Sequence, residues 1–457
     1  MTDQHFTKIK RNAIASILRV LGEATETVRS WVGSINEDLT GNKDIEALKM
    51  KMKECLNPKG GEITARRNTV SLGNLYLNLS ETGKVRFLKI LVEEFSANKE
   101  EINDKITAYQ ANSDPKPSYK LKQELITALE SPRLKILKQF ISLENGLKFI
   151  VDMRSDTLKF KNEHKMLSTL EKDLKNILSS WFDVELLDFC QITWDSPASL
   201  LEKLIKYEAV HKITSWDDLK NRLGLCFAFF HYKIPNEPLI FVEIALTDEI
   251  ANNIQSLLDE SIPATDPKSM STAMFYSISN TQAGLSGINL GNFLIKRVVE
   301  RLSQEFKNIE MYATLSPIPS FTKWLSNVHK PEQLAQKLKI DKPISEVLEY
   351  INLPQIQNCP DDIKQIILKL CAYYLLKVKN EKSNSAFDPV AHFHLSNGAA
   401  IKRLNWLADT SEKGINQSFG IMVNYLYELS KIDHNHENYM INKIISSAKD
   451  VSSLLSK

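Results

Sequence analysis

The stretch FYSISNTQAGLSGINLGNFLIKRV, residues 275–298, combines three kinds of local pattern in a short length of chain. It begins with aromatic and β-branched residues typical of a strand, passes through a turn with three glycines, and ends with helical spacing. Another strand-like run, Ile309–Leu315, follows the helix. This order predicts a β–turn–α–β unit.

Two further hydrophobic runs, Cys226–His231 and Leu239–Leu246, precede this unit. The link between them, residues 232–238, contains two prolines and is short enough for a hairpin-like connection. Antiparallel strands followed by a β–turn–α–β unit predict an α+β fold with a mixed sheet. Helical spacing flanks these strands, over residues 195–222 and again beyond residue 324.

The first part of the chain has a different pattern, and it predicts a helical bundle. Apolar residues recur at intervals of three and four, as in Ile14, Ile17, Leu18 and Leu21, and in Phe87, Leu88, Ile90, Leu91 and Phe95. Loop signals interrupt them at residues 57–61 and 112–118. The pattern changes after Trp181, so we expect two domains, 1–180 and 181–457.

Composition excludes several classes of protein. Of 457 residues 43% are hydrophobic and 25% charged, which is typical of a globular protein, and the net charge of +2 demands no nucleic-acid partner. The five cysteines form no Cys-x-x-Cys pair, which favours a reducing compartment. No run reaches the roughly 18 apolar residues of a membrane helix. We therefore expect a cytoplasmic protein without a membrane partner.

The glycine turn is one candidate binding site. Glycines allow backbone amides to approach a ligand closely, and the start of a helix offers free N–H groups, so a pyrophosphate would fit here. The spacing matches neither the dinucleotide fingerprint nor the Walker motif. From the local sequence alone, a turn that serves only the close packing of strand against helix is the favoured explanation of the glycines.

Ser316 is a second candidate. It follows a strand and precedes Pro317-Ile318-Pro319, and a residue before proline favours extended backbone. The prolines would hold Ser316 at the strand's carboxyl end, where open α/β sheets bind ligands. Ser320 is a plausible N-cap for a following helix. A stiff turn with an incidental serine is the alternative.

The third candidate is the segment AHFHLSNGA, residues 391–399. On a strand His392 and His394 would point the same way and could share a metal, but no third ligand is nearby. One histidine in a neutral pocket could instead transfer a proton, and a satisfied core histidine is a further possibility. Residues 433–437, DHNHE, predict an exposed polar loop.

Taken together and in order, these motifs resemble the malonyl-CoA decarboxylase family. The resemblance rests on FYSISNTQAGLSGINLGNFLIKRV, YATLSPIPSFTKWL and DPVAHFHLSNGAAIKRLNWLAD, with support from EAVHKITSWDDLKNRL, EPLIFVEIALT and GIMVNYLYEL. It is strongest over about residues 180–430. It implies a helical N-terminal domain that supports or oligomerises the chain, followed by a catalytic domain with the fold of the CoA-dependent N-acetyltransferases.

The resemblance also implies a reaction and its residues. Malonyl-CoA would lose carbon dioxide to give acetyl-CoA, without metal or cofactor. Ser316 and His394 match the family's catalytic pair, and Tyr427 matches its active-site tyrosine. The CoA-binding turn maps onto Ser286, Gly287, Ile288, Asn289, Leu290, Gly291 and Asn292, with Lys296 or Arg297 as auxiliaries.

This sequence departs from the family pattern in two places. Asn289 stands where relatives can carry glutamate, so a carboxylate role does not carry over to that position. Arg222 runs almost directly into the strand at Cys226, where relatives often have a longer turn with a basic pair. Contacts made by that pair do not carry over to this chain either.

Two other functions stay open at this point. An acyltransferase would need an acceptor, for which the sequence shows no site, and a CoA-responsive interaction protein would bind CoA without turnover. Fold alone does not separate these alternatives from a decarboxylase. Relatives form oligomers, so a homo-oligomer, either a dimer or a tetramer, is expected.

Overall fold

The computed structural model describes residues 35–57, 61–111, 115–141, 143, 145–182, 186–259, 266, 269–288, 291–381 and 383–456. The chain forms two compact units. The first takes in the chain up to Leu186 together with Tyr232–Pro235 and Gln282–Ile288, and the second takes in Leu187–His231, Asn236–Thr281 and the chain from Asn289 onward. The helix predicted from Ile14 onward lies outside the described residues.

The first unit is helical in its described part up to Trp181. Its helices are α1 Asn42–Leu56, α2 Gly61–Asn78, α3 Glu81–Glu94, α4 Lys99–Ala111, α5 Pro115–Leu129, α6 Pro132–Ile141, α7 Gly146–Phe160 and α8 Leu167–Trp181. The predicted bundle is confirmed. The second predicted loop is too long, because α5 already begins at Pro115, and proline is well accommodated in a first helical turn.

The core of this unit consists of the apolar positions that recur along the helices. Phe87 on α3, Phe140 on α6 and Ile150 on α7 are completely buried. Each such side chain contributes about 1.5–3 kcal/mol to folding when it leaves water. The buried guanidinium of Arg154 on α7 is neutralised by Glu171 on α8, at 2.6 Å.

The second unit contains a mixed sheet surrounded by helices. Its strands are β1 Leu187–Ile192, β2 Cys226–His231, β3 Ile240–Thr247, β4 Thr272–Asn280, β5 Met311–Thr314, β6 Ser316–Pro317, β7 Ala400–Asn405 and β8 Met422–Tyr427. Its helices are α9 Ala198–Tyr207, α10 Trp216–Arg222, α11 Ile254–Leu257, α12 Gly291–Glu305, α13 Phe321–Ser326, α14 Pro331–Leu338, α15 Ile344–Leu348, α16 Leu353–Gln357, α17 Asp361–Lys377, α18 Pro389–Ser396, α19 Glu412–Ser418, α20 Ile432–Asn442 and α21 Lys449–Ser453. The α+β prediction is confirmed.

The strand order is β1-β2-β3-β4-β5-β8-β6, and β7 also pairs with β8. Among these strands β4 and β5 pair in parallel, from Thr272↔Met311 to Phe275↔Thr314, and the other pairs are antiparallel. A parallel pair needs a crossover, which α12 supplies. β4 continues to Asn280 after its last pair with β5, so the two strands part beyond Phe275.

Several local predictions fail in this unit. Residues 433–437 lie in α20, not in a loop, because the helix buries Asn435 and Tyr439 although its sequence is mostly polar. The segment with His392 and His394 is helix α18, so the strand geometry in which the two histidines would point the same way is not present. Strands β1, β7 and β8 were not predicted. No helix in the described part of the chain is both long and apolar enough to cross a bilayer.

Candidate active site

Ser316 begins β6, which follows β5 and continues its pairing with β8. It stands opposite Val423 in that pairing, and its side chain is buried. The extended backbone predicted before Pro317 is observed. Ser320 does occupy the N-cap position of α13, but its side chain caps no N–H group. The predicted capping by this side chain is therefore wrong.

His394 is presented by helix α18, whose start is unusually well specified. Asp388 is the N-cap and accepts hydrogen bonds from the N–H groups of Val390 and Ala391, both at 3.0 Å. Pro389 occupies the first turn, where its missing N–H costs nothing. Apolar and polar residues alternate over residues 391–395, as in a strand, but the capping interactions make this segment a helix.

The helical geometry separates the two histidines. Side chains two residues apart on a helix point in different directions, so the rings do not face a common ion. His392 Nδ1 lies 2.8 Å from the hydroxyl of Tyr439, whereas His394 contacts other residues. The described residues contain no group of three or more histidine, cysteine or carboxylate side chains arranged to hold a metal.

Ser316, His394 and Tyr427 form one hydrogen-bonded chain. Ser316 Oγ is 3.0 Å from His394 Nε2, and His394 Nδ1 is 2.8 Å from the Tyr427 hydroxyl. The imidazole also stacks on Tyr425, with ring centroids 4.4 Å apart. Hydrogen bonds at both nitrogens and a stacked face leave the ring little freedom to rotate.

The direction of the hydrogen bonds follows from Thr314. Ser316 donates to Thr314 Oγ1 at 2.8 Å, and this oxygen also accepts from the N–H of Tyr425 at 3.2 Å. With its own hydrogen directed at Thr314, Ser316 accepts from Nε2 of His394. The phenolic O–H of Tyr427 then donates to Nδ1. This network assigns the proton of the neutral imidazole to Nε2.

Burial keeps these groups uncharged. It lowers the pKa of the His394 imidazole to about 3 and raises the pKa of the Tyr427 phenol well above its ordinary value. Desolvation disfavours the charged form of each group, imidazolium in one and phenolate in the other. At neutral pH the chain therefore consists of a phenol, a neutral imidazole and an alcohol.

Asp388 also links α18 to helix α17. Besides capping α18, it accepts a hydrogen bond from the hydroxyl of Tyr374, on α17, at 3.3 Å. Burial raises the pKa of its carboxyl to about 6, although these donors oppose the shift. One carboxylate thus fixes the backbone four and three residues before His394 and binds α17 as well.

A cavity of about 240 Å³ opens beside Ser316 and His394. Strand β4 lines it beyond the point where it parts from β5. The lining residues described are Val210, Phe275, Tyr276, Ile278, Asn280, Ser316, Pro317, Pro389, Val390, Phe393 and His394. None of these carries a side chain that is charged at neutral pH, so the cavity is mostly apolar with a few polar groups.

The predicted CoA-binding turn is described only in part. Ser286, Gly287 and Ile288 lie in a turn of the first unit. Gly291 and Asn292 begin α12. Asn289 and Leu290 lie outside the described residues, so the effect of asparagine at position 289 stays a prediction. Lys296 and Arg297 are exposed on α12.

Arg222 lies just before β2, where this sequence departs from the family pattern, and its side chain binds other residues of the second unit. Its guanidinium binds both oxygens of Asp218, at 2.5 and 3.1 Å, and donates to the carbonyls of His211 and Lys212. It also lies 3.5 Å from the buried carboxylate of Glu243. Arg222 is therefore committed to the core of the second unit and does not line the cavity.

Sequence reasoning missed Thr314 and Asp388, although both left a signal. Thr314 and Ser316 are two residues apart on extended backbone, so their side chains share a face. Asp388 directly precedes Pro389, and an N-cap residue followed by proline is typical of a helix start.

We expect Thr314→Val to lower kcat roughly tenfold, because valine keeps the branched shape but removes the acceptor that orients the Ser316 hydroxyl. Steady-state kinetics with malonyl-CoA, the substrate that the resemblance implies, would measure this. Thr314→Ser, which retains the hydroxyl, is the matched control and should stay near the wild-type rate. A valine variant with full activity would show that Thr314 does not orient Ser316.

The protonation state of His394 is open to direct measurement. Its ring nitrogens should show the neutral Nε2–H form in NMR spectra from about pH 8 down to about pH 5, since burial disfavours imidazolium. Comparison with His394→Ala assigns the signal. Because the pKa is lowered in the fold, stability from this site is lost as pH falls from 6.5 towards 3. A titration midpoint near 6.5 would contradict the burial argument.

Family models and known proteins agree on the relationship of this chain. Residues 185–457 match the malonyl-CoA decarboxylase C-terminal domain, and residues 95–182 match the malonyl-CoA decarboxylase N-terminal domain. The mitochondrial malonyl-CoA decarboxylase of Rattus norvegicus is 38% identical over 354 residues, which cover 71% of this chain and 72% of the rat protein. That of Anser anser anser is 38% identical over 355 residues, with 72% and 70% covered.

Solved structures give the same result. The malonyl-CoA decarboxylase of Rhodopseudomonas palustris has a TM-score of 0.79 at 36% identity, covering 89% of this chain and 98% of that one. The enzyme of Agrobacterium vitis has a TM-score of 0.80 at 34% identity, covering 90% and 100%. Both the sequence and the fold therefore place this chain in the malonyl-CoA decarboxylase family.

Proposed function

We propose that this protein decarboxylates malonyl-CoA to acetyl-CoA and carbon dioxide, with Ser316, His394 and Tyr427 as the active-site residues. The observation that carries the proposal is the hydrogen-bonded chain of these three residues, two of which line an apolar cavity. Family membership supports the same substrate. The relatives' names state malonyl-CoA as what those proteins act on.

The reaction requires one bond to break and one to form. The bond between the malonyl C2 atom and the carboxylate carbon breaks, and carbon dioxide leaves. The electron pair of that bond moves into the thioester as an enolate, and C2 then takes a proton to become the methyl group of acetyl-CoA. The enzyme must therefore stabilise the enolate and deliver one proton, and it needs no nucleophile.

The cavity suits the first half of this reaction. A carboxylate removed from water needs a counter-charge or strong donors, and none of the described lining residues supplies a cation at neutral pH. Carbon dioxide is neutral, and the enolate spreads its charge over the thioester. An apolar cavity therefore disfavours the malonyl carboxylate more than it disfavours the products.

The serine–histidine pair suits the second half. Ser316 and His394 both reach the cavity wall. In the proposed reaction the Ser316 O–H turns from Thr314 towards C2 and gives it the proton, and Ser316 takes the Nε2 proton of His394 in exchange. Tyr427 holds Nδ1 by donating to it, and its raised pKa keeps it a phenol. The pair regains its proton from water after the products leave. A positioned acid of this kind accelerates a reaction by about a hundred- to ten-thousandfold.

The remaining roles are assigned by resemblance and chemistry. We place the CoA pyrophosphate on the backbone amides of residues 286–292, with Lys296 or Arg297 as auxiliaries. The helical residues 1–180 support or oligomerise a catalytic domain formed by residues 181–457, as a dimer or tetramer. A cytoplasmic location, with no nucleic-acid or membrane partner, stays a prediction, and the curated vertebrate relatives are named as mitochondrial.

Mass spectrometry tests the function directly. Purified protein incubated with malonyl-CoA, without added metal, should yield acetyl-CoA and carbon dioxide in equal amounts. An acyltransferase would transfer the acyl group only when an amine acceptor is added, and a CoA-responsive binding protein would bind CoA without turnover. Either of those results would overturn the proposal.

A further inference from the structure

Lys175 places a positive charge beside the turn that precedes α12. It lies on α8 in the first unit and is partly exposed. A Cβ atom built on Gly287 would lie 3.4 Å from its Nζ atom, so the ammonium group almost touches the turn backbone. Gly287 itself has φ of 73°, a conformation that glycine adopts without strain.

The acidic residue best placed to pair with Lys175 is bound to other residues. Glu171 lies one turn earlier on the same helix, the spacing at which a glutamate normally pairs with a lysine. Its carboxylate instead binds Arg154 at 2.6 Å and approaches Lys161 at 3.8 Å. Lys175 forms no ion pair with any residue that the structure describes. Its charge therefore remains available to a ligand.

The turn beside Lys175 is held firmly against the helices of its own unit. Arg154 donates to the carbonyl oxygens of Gly284 and Ser286, at 2.6 and 2.9 Å. A Cβ atom on Gly284 would lie 1.8 Å from the carbonyl oxygen of Val151, so the turn backbone packs directly on α7. The buried guanidinium thus fixes the turn and satisfies two of its carbonyl oxygens with hydrogen bonds.

One backbone donor in this turn remains free. The N–H groups of Ser286 and Ile288 donate within the turn, to Ala283 and Leu285 at 3.1 and 3.0 Å. The N–H of Gly287 has no hydrogen-bond acceptor among the described residues. The unpaired ammonium group of Lys175 thus lies beside the residue that carries this N–H, and an anion at this position would suit both donors.

We propose that Lys175 binds a phosphate group of the CoA thioester together with the Gly287 N–H. The inference rests on the proposed function for its ligand. It assigns Lys175 a binding role and Arg154 a positioning role. Both the pyrophosphate and the 3′-phosphate of CoA offer the required oxygens.

The test is calorimetric binding of CoA to the full-length Lys175→Gln variant. Affinity should fall about tenfold at low salt, and the difference from wild type should shrink as salt screens the exposed charge. KM for malonyl-CoA should rise by a similar factor with kcat near wild type. Lys175→Arg should retain most of the affinity. Lys172→Gln removes an exposed charge from the same helix and is the matched control.

Dephospho-CoA identifies the phosphate. If the 3′-phosphate is the ligand, wild type and Lys175→Gln should bind dephospho-CoA equally, whereas a persistent difference assigns the pyrophosphate. A folded Lys175→Gln protein with wild-type CoA affinity would overturn the inference and leave the decarboxylase proposal intact. If wild-type protein binds CoA but does not convert malonyl-CoA, the proposed function fails while the role of Lys175 in CoA binding stands or falls on the calorimetry alone.

Discussion

Replacing His394 with alanine should lower kcat for malonyl-CoA decarboxylation by about a thousandfold, while CoA binds with nearly wild-type affinity. The variant loses the Nε2–H group beside Ser316 and the acceptor for Tyr427, so no side chain positions a proton for C2. Stopped or continuous assays of acetyl-CoA production would measure the rate, and calorimetry with CoA would measure the binding.

His392→Ala is the control for this experiment. His392 lies two residues away on the same helix and hydrogen-bonds Tyr439 outside the cavity lining, so its loss should change the rate little. Equal losses in the two variants would indicate damage to α18 instead of lost chemistry. Full turnover by folded His394→Ala would disprove the assignment of His394.

Replacing Ser316 with alanine should lower kcat by about a hundredfold or more, the loss expected when one aimed hydrogen-bond donor is removed. Alanine fits the extended backbone before Pro317 and needs no rearrangement of β6. The variant loses the hydroxyl that reaches the cavity, and this hydroxyl is also the hydrogen-bond partner of His394 Nε2. The change should appear in kcat more than in KM, because Ser316 acts on the reacting group.

Ser320→Ala is the matched control, since Ser320 lies in the same turn and its side chain does not cap α13. Combining Ser316→Ala with His394→Ala should cost far less than the product of the two single losses, because residues that act as a unit are not additive. Strictly multiplicative losses would mean that the two side chains work independently.

The elements with strong local patterns were predictable. Strand β2 matches the predicted run Cys226–His231 residue for residue, and the helix after the glycine turn occupies Gly291–Glu305. Both consist of apolar residues at regular spacing, and packing leaves such segments little choice of structure. The extended backbone at Ser316 followed in the same way from the proline after it.

The segments with conflicting patterns were mispredicted. Residues 391–395 alternate like a strand, yet Asp388 and Pro389 start a helix there. Residues 433–437 are as polar as a loop, yet α20 packs Tyr439 and Asn435 into the fold. In both segments capping and tertiary packing outweigh local composition, and a window of neighbouring residues does not contain those contacts.

From its residues alone, this chain determines a helical first part, the central strands of an α+β domain, and a serine held extended before prolines, because each depends on neighbours within a few positions. Only the tertiary structure decided the hydrogen-bonded chain of Ser316, His394 and Tyr427. Ser316 and His394 are 78 residues apart, and His394 and Tyr427 are 33 apart. Their contact depends on the pairing of β8 with both β5 and β6, and on the capping of α18 by Asp388. Hydrogen bonds between distant segments have no local pattern, so only folding brings them together.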